Sequence, residues 1–254
     1  MKFEGRVAIV TGASAGLGKA YCKALAKEGC KVAAFARRLE KLEDLQKECE
    51  GLPGTILPVK CDVSKEDEVI AGIKATVEAF GRIDILINNA QATDKNALPV
   101  KVEDTTLDLV KLCWETGFLG TFYCTKHVLP YMRKQKYGRI VNTGSATGTR
   151  GMETFAAYGS QKEAIRCLTK VTASEYGEDG ITCNVICPGA LTDAAKVWKE
   201  YDPAGYERAV APQPIKRLGD PDTDIAPAVL FLVSEDARYV TAQTIFLNGG
   251  GDRF

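Results

Sequence analysis

The sequence predicts an α/β protein built on a doubly wound parallel sheet with helices on both faces. Three observations carry that expectation. Short runs are apolar throughout, as strands covered on both faces are; stretches of about ten or more residues with helical spacing lie between them; and turn residues, chiefly glycine, mark the junctions. Strands joined by such crossovers run parallel.

In order, the first apolar run covers 7–10 and ends at Thr11-Gly12, and a helical pattern follows from about 16 to 28 and stops at Gly29. The alternation repeats as strand 31–36, helix 39–49, strand 55–60, helix 65–80 and strand 83–87. A long helical stretch over about 107–134 leads to strand 139–142, helix 155–176 and strand 182–186; the last pair is a helix near 226–233 and a strand near 244–247. No linker-like stretch interrupts this order, so residues 1–254 are expected to form one domain.

With 45% hydrophobic and 26% charged residues, there is ample apolar material for a core. Lysine plus arginine and aspartate plus glutamate both number 33, so no overall field draws the chain to nucleic acid or an anionic membrane. The N-terminus, Met1-Lys2-Phe3-Glu4-Gly5-Arg6, runs into an apolar segment too short for a signal-peptide core, and no run approaches a membrane span. The expected location is therefore cytoplasmic. The nine cysteines, at 22, 30, 49, 61, 113, 124, 167, 183 and 187, include no Cys-x-x-Cys pair and are expected to be buried reduced thiols. The one histidine, His127, cannot build a metal site alone, and no metal is expected.

Doubly wound sheets bind ligands beyond the carboxyl ends of their strands, so the chemistry is sought in those loops. The first is Thr11-Gly12-Ala13-Ser14-Ala15-Gly16-Leu17-Gly18, which leads into a helix whose N-terminal amides and dipole suit a pyrophosphate. Glycine there lets the phosphate approach the backbone. After the second strand, a site that prefers NAD usually places an acid on the ribose hydroxyls, whereas the extra phosphate of NADP needs positive charge. This chain has Ala36-Arg37-Arg38 and no acid. The alternative for Arg37 and Arg38 is a pair of solvated charges before an exposed helix. Further on, Tyr158 and Lys162 stand four apart in a helical pattern and so share a face, with Ser145 thirteen residues upstream, just after the fifth strand.

Taken together, these residues resemble the short-chain dehydrogenase/reductase family, whose glycine motif Thr-Gly-x-x-x-Gly-x-Gly is matched by Thr11, Gly12, Gly16 and Gly18. The likeness continues through Asp62-Val63, Asn88-Asn89-Ala90, Ser145, Tyr158, Lys162, Asn184 and Pro188-Gly189, and spans essentially the whole chain. It implies a Rossmann-type fold, NADP(H) as cofactor with Arg37 on the 2′-phosphate and Arg38 beside it, and Ser14 and Leu17 counted with the glycines as cofactor contacts. It places Asp62 and Val63 at the adenine, Asn89 and Ala90 at the adjoining ribose, and Pro188, Gly189 and Leu191 at the nicotinamide. Thr192 arrives one residue earlier than the threonine that commonly touches the carboxamide. Asp62 or Ser64 is equally able to begin the following helix.

The same resemblance makes Tyr158 the group that gives a proton to a carbonyl oxygen or takes one from an alcohol, with Lys162 and the oxidised nicotinamide lowering the phenol's ordinary pKa of about 10. Lys162 would also hold the nicotinamide ribose, and Ser145 would donate to the substrate oxygen. Two positions depart from the family pattern. Gly117 stands where many members carry an asparagine that holds a water beside the lysine, and a backbone carbonyl or Thr116 is expected to hold it instead. Gln91 replaces the glycine of Asn-Asn-Ala-Gly, so that a side chain projects near the mouth of the site, toward substrate or solvent.

Residues 190–217, with Trp198, Tyr201, Tyr206 and several prolines, suit either a mobile lid over substrate or a packed subunit contact. The expectation is thus an NADP(H)-dependent oxidoreductase that moves hydride between the nicotinamide and a small-molecule carbonyl or secondary alcohol, with an alicyclic or hydroxysteroid substrate. The alternatives are a 3-oxoacyl-thioester reductase and a catalytically weak nucleotide-sensing protein. The resemblance further implies a homotetramer or homodimer.

Overall fold

A computed structural model of the chain describes residues 1–92 and 98–252. The strands are β1 (Val7–Thr11), β2 (Lys31–Ala36), β3 (Thr55–Lys60), β4 (Ile85–Asn88), β5 (Gly138–Thr143), β6 (Ile181–Pro188) and β7 (Thr244–Leu247). Their order in one seven-stranded sheet is β3-β2-β1-β4-β5-β6-β7, and every pairing is parallel. The helices are α1 (Gly16–Lys27), α2 (Leu39–Glu48), α3 (Glu66–Phe80), α4 (Leu107–Cys113), α5 (Gly120–Gln135), α6 (Ala146–Arg150), α7 (Ala156–Tyr176), α8 (Asp193–Tyr201), α9 (Pro203–Val210) and α10 (Ala226–Leu232).

The strands are apolar throughout because both faces are covered. Alternate residues of one strand enter different cores: Ala8 and Val10 pack with Tyr21 and Leu25 of α1, Leu42 and Leu45 of α2, and Val229 and Leu232 of α10. Ile9 faces the other way, toward Val69 and Ile73 of α3, Val128 and Met132 of α5, and Ala173 of α7. Because the chain runs outward from β1 to β3 and then crosses to β4, the β1 and β4 loops diverge at their carboxyl ends and leave a crevice between them.

Several local features differ from the sequence-based expectation, each for an identifiable reason. The fourth strand begins at Ile85 rather than Ile83, because Gln135 at the end of α5 takes both backbone groups of Ile83, accepting from its N–H (3.2 Å) and donating to its carbonyl (2.7 Å). The stretch read as one helix over 107–134 contains a π-helical segment, Trp114–Leu119, between α4 and α5. Neither Asp62 nor Ser64 caps α3: Asp62 Oδ1 accepts from the Ser64 N–H and hydroxyl in a turn, and Lys65 is the residue that precedes the helix. Residues 190–217 hold α8 and α9, too short and too polar to stand out from the pattern. Eight of the nine cysteines are buried, but Cys167 is exposed on α7. His127 Nε2 donates to Glu66 Oε1 at 2.8 Å, tying α5 to α3.

Asp84, fully buried, joins β1 to β4. It accepts from the Val7 N–H (2.9 Å), from Arg6 (3.0 Å) and from both ends of the Arg82 guanidinium fork (2.8 and 2.6 Å). Asp84→Asn keeps the shape but removes the charge that these donors share, and is expected to lower stability by about 2 kcal/mol. The urea midpoint reads this directly; an unchanged midpoint would contradict it.

Candidate active site

The crevice at the carboxyl ends of β1 and β4 is lined by the glycine-rich loop on one side and the β4 loop on the other, and has a volume of about 400 Å³. That lies within the range of about 300–1,000 Å³ usual for small-molecule sites. The three motif glycines do different work. Gly16 has φ +53 and only open space where a Cβ would stand, so it is the one that leaves the crevice clear. At Gly18 a Cβ would lie 2.3 Å from the Gly12 carbonyl oxygen, and at Gly12 it would lie 2.9 Å from Ala90 Cα, so these two allow the loop to fold tightly on itself and on β4. Ser14 and Leu17 line the same wall.

Arg37 and Arg38, both exposed at the end of β2, line the crevice, and Arg38 donates to Ser14 Oγ at 3.1 Å. With Ala36 buried before them and no acid at this edge, two guanidinium groups face the space beside the glycine loop. Asp62, Val63 and Ala90 are further lining residues. Asn89 both lines the crevice and secures it: its Nδ2 donates to the Thr11 carbonyl (3.1 Å), while Thr11 Oγ1 accepts from the Asn89 and Ala90 N–H groups. A dinucleotide fits this arrangement, since the open Gly16 backbone, the N-terminus of α1 and two cations converge on one elongated space.

The β6 end is fixed by β7. Gly189 donates to Leu247 O at 2.8 Å, and a Cβ there would lie 2.9 Å from Asn248 Cβ. Leu191 donates to Gly219 O. Of Pro188, Gly189, Leu191 and Thr192, only Thr192 lines the crevice; its hydroxyl also accepts from Ala195 N–H as the cap of α8.

Ser145, Tyr158 and Lys162 come together beyond β5. Ser145 caps α6, its Oγ accepting from the Thr147 N–H at 3.1 Å. Tyr158 and Lys162 project from one face of α7, with Lys162 Nζ 5.5 Å from the Tyr158 ring centre. Lys162 is 2% exposed and donates to the Thr143 carbonyl at 2.9 Å. Burial pulls its pKa down from 10.5 to about 8, only partly offset by the Cys187 and Cys113 thiols. Burial also keeps Cys113 above the usual thiol range and pushes Cys187 up to about 11, so both thiols are neutral near pH 7. The Tyr158 phenol is raised above 10, chiefly by burial, with the Ser145 hydroxyl pulling the other way. The protein's own groups thus hold this phenol above its ordinary value, and the lowering expected from Lys162 and the oxidised nicotinamide together belongs to the cofactor-bound state.

Thr116 is fully engaged. Its hydroxyl donates to Leu112 O (2.7 Å) and accepts from Ala92 N–H (3.1 Å), so it anchors the β4 loop to the π segment. The residue that sequence reasoning missed is Gln161, wholly buried, whose Nε2 donates to Gln91 Oε1 at 2.9 Å. Its position directly before Lys162 was the only available signal.

The model described as Enoyl-(Acyl carrier protein) reductase matches residues 12–251. A 12alpha-hydroxysteroid dehydrogenase of Clostridium sp. is 36% identical over 98% of this chain and 97% of its own length. A 3-oxoacyl-[acyl-carrier-protein] reductase of Thermotoga maritima is 35% identical over 98% and 99%. Among solved structures, levodione reductase superposes with a TM-score of 0.89 at 34% identity, covering 98% of both chains. A variant of actinorhodin polyketide ketoreductase with NADPH also scores 0.89, at 32% identity over 98% of both. A parallel sheet of this order, a glycine loop at its switch point and relatives matched along nearly their full lengths place the chain in the short-chain dehydrogenase/reductase family, as an oxidoreductase acting on a CH–OH/C=O pair.

Proposed function

We propose that the protein is an NADP(H)-dependent reductase of cyclic ketones, or the corresponding alcohol dehydrogenase, with Ser145, Tyr158 and Lys162 as its catalytic residues. The observation that carries the cofactor preference is the pair Arg37 and Arg38 at the wall of the dinucleotide crevice, with no carboxylate at the end of β2. A guanidinium there meets the 2′-phosphate of NADP(H) with charge-assisted hydrogen bonds that NADH cannot make.

The cofactor supplies or accepts the hydride. Gly12, Ser14, Gly16, Leu17, Gly18, Asp62, Val63, Asn89, Ala90, Pro188, Gly189, Leu191 and Thr192 belong to its binding surface in this reading. Tyr158 holds the proton that reaches the carbonyl oxygen, Ser145 donates a hydrogen bond to the same oxygen, and the Lys162 ammonium opposes protonation of the phenolate in the reverse direction.

Ring-shaped substrates are favoured by the aromatic pair on α8 and α9, where Trp198 and Tyr206 meet edge to face at 5.7 Å, and by relatives named for a hydroxysteroid and for levodione. A second reading, reduction of 3-oxoacyl thioesters, rests on relatives such as the Thermotoga maritima reductase. Steady-state assays with NADPH and three probes, a 12-oxosteroid, levodione and a 3-oxoacyl thioester, separate the two. Preference for the thioester would replace the first reading by the second. Arg37→Ala is expected to weaken NADPH binding by about 10–100-fold and leave NADH binding unchanged, as read by cofactor fluorescence. Equal loss for both cofactors would defeat the phosphate assignment. A homotetramer or homodimer, supported by apolar Phe122 and Val171 left exposed on α5 and α7, is read by light scattering.

A further inference from the structure

Ser145 and Tyr158 belong to different helices, so the distance between them depends on how α6 packs on α7. α6 has 5 residues, none of them buried, and therefore no apolar side chain that seats it on the fold. It is held at its far end, where Arg150 pairs with Asp252 and donates to Gly251 O at 2.7 Å, and in its middle, where Gly148 lies against Gly159 of α7. A Cβ on Gly148 would stand 2.9 Å from the Gly159 carbonyl oxygen and 2.8 Å from Glu163 Oε1. The carboxylate ends a flexible side chain and can move aside, but the carbonyl belongs to the backbone of α7. In the other direction a Cβ on Gly159 would lie 3.6 Å from Gly148 Cα, an ordinary contact.

Each glycine is tied through the backbone to one of the two hydroxyl-bearing residues. The Gly148 N–H donates to the Ser145 carbonyl at 3.1 Å, so both belong to one hydrogen-bonded turn. Gly159 follows Tyr158 in α7, and its own N–H donates to Phe155 O at 2.7 Å. Ser145 Oγ already accepts from the Thr147 N–H at 3.1 Å, which leaves its O–H free to donate. That hydroxyl pulls the Tyr158 phenol down against the effect of burial. The other titratable groups facing the phenol are Lys162 on its own helix, Cys113 from α4 and Cys187 from β6, the two thiols neutral near pH 7. Glycine inside a helix is less stable than alanine, yet α7 carries one beside Tyr158.

We propose that Gly148 is a positioning residue: the absence of a side chain there lets α6 settle on α7 at Gly159, close enough for the Ser145 hydroxyl to reach the Tyr158 hydroxyl. The inference rests on the catalytic reading of Ser145 and Tyr158 given above. A methyl group at 148 pushes the two helices apart and stretches a hydrogen bond that weakens steeply with distance and angle. The phenolate then loses a donor and the phenol pKa rises, so alcohol oxidation, which needs the phenolate, requires higher pH.

The test compares the full-length protein with Gly148→Ala, Gly159→Ala, Gly159→Val and Ser145→Ala, and with Gly148→Ala made together with Ser145→Ala. Alcohol oxidation is followed with NADP⁺ and the alcohol of whichever of the three probes turns over fastest. Gly148→Ala is expected to lower kcat about tenfold and to move the rising limb of the pH profile up by about one unit, the size of one lost hydrogen bond to a charged group. NADPH binding should hold, since Gly148 lies outside the crevice wall. Without substrate, the tyrosinate absorbance of the NADP⁺ complex, taken as the difference from the matching Tyr158→Phe protein, should rise at correspondingly higher pH. At 159 the same shift should grow with size, slight for alanine and comparable to Gly148→Ala for valine, whose branch reaches α6; this variant reads the contact from the α7 side should Gly148→Ala not fold. Gly159→Ala should nevertheless melt higher than the unaltered protein, because alanine is the better helix former, which separates positioning from stability. Beside Ser145→Ala, Gly148→Ala should cost little more, since the hydrogen bond it stretches is already gone. If the pH profile and tyrosinate titration of folded Gly148→Ala or Gly159→Val superimpose on those of the unaltered protein, or if Gly148→Ala costs as much with Ser145→Ala as without it, the inference is wrong. An impaired Ser145→Ala beside such a result defeats this inference alone; a Ser145→Ala with unmoved kcat and pH profile defeats the catalytic reading of Ser145 and the inference with it.

Discussion

Tyr158→Phe is expected to lower kcat by about 10²–10⁴-fold while leaving the affinity for NADPH unchanged, because it removes one hydroxyl at the reacting oxygen and nothing from the crevice that holds the dinucleotide. The ring itself is retained, and with it the packing against Cys113, Ala157 and Leu109. Stability should hardly move, since the phenol is half-buried and its charged form is already disfavoured by burial. The measurement is kcat and NADPH binding on the same preparation. A variant that loses less than about tenfold in kcat would assign the proton to another donor, for which Ser145 is the nearest candidate by position. The pH dependence has a definite sign. Reduction needs the phenol and oxidation needs the phenolate, so reduction falls and oxidation rises as pH passes the pKa of Tyr158 in the bound complex. The protein alone raises that pKa, so alkaline conditions are required for oxidation unless the positive nicotinamide ring and Lys162 together bring it down.

Much of this was legible in the sequence because it rests on local pattern. Val7 to Thr11, Lys31 to Ala36 and Thr55 to Lys60 are short, apolar and bounded by glycine or by helical spacing, and the structure places strands there. The glycine motif could be located but its division of labour could not. That Gly18 packs against the Gly12 carbonyl while Gly16 faces the open crevice depends on how the loop folds back on Asn89, some seventy residues away. The π segment at Trp114–Leu119 keeps helical spacing and so looks like uninterrupted helix in sequence. Its consequence, the meeting of Gly117 with Gln161 and Gln91, joins three distant positions that are individually unremarkable: a helical glycine, a polar residue on a long helix, and a loop glutamine. For Tyr158 the spacing reveals which groups are neighbours but not how much water they lose, and burial raises the phenol before any cofactor binds.

That loss of water underlies the second large effect, at Lys162. The ordinary lysine pKa is 10.5, and burial brings this one to about 8. Between those values the unfolded chain binds more protons than the native one, so stability rises with pH across that window. Above 10.5 the lysine is neutral in both states and costs nothing as a charge; below about 8 it is charged in both, and the full desolvation penalty of about 3 kcal/mol applies. Lys162→Met keeps an unbranched chain of similar reach and removes the charge. It also leaves the Thr143 carbonyl without its donor, at a cost of about 1 kcal/mol. The net expectation near pH 7 is a gain of about 2–3 kcal/mol, or roughly 5–10 °C in melting temperature for a chain of this length, together with loss of turnover. The gain should shrink as pH rises from about 8 toward 10.5 and should give way to a loss of about 1 kcal/mol beyond it. Melting curves at pH 7 and above pH 10.5 read both parts. If the variant melts at or below the unaltered protein at pH 7, the lysine is better solvated or better paired than its surroundings indicate. A gain confined to low pH would mean that the fold keeps a charge in its interior at a standing cost in stability, which only a use for that charge explains.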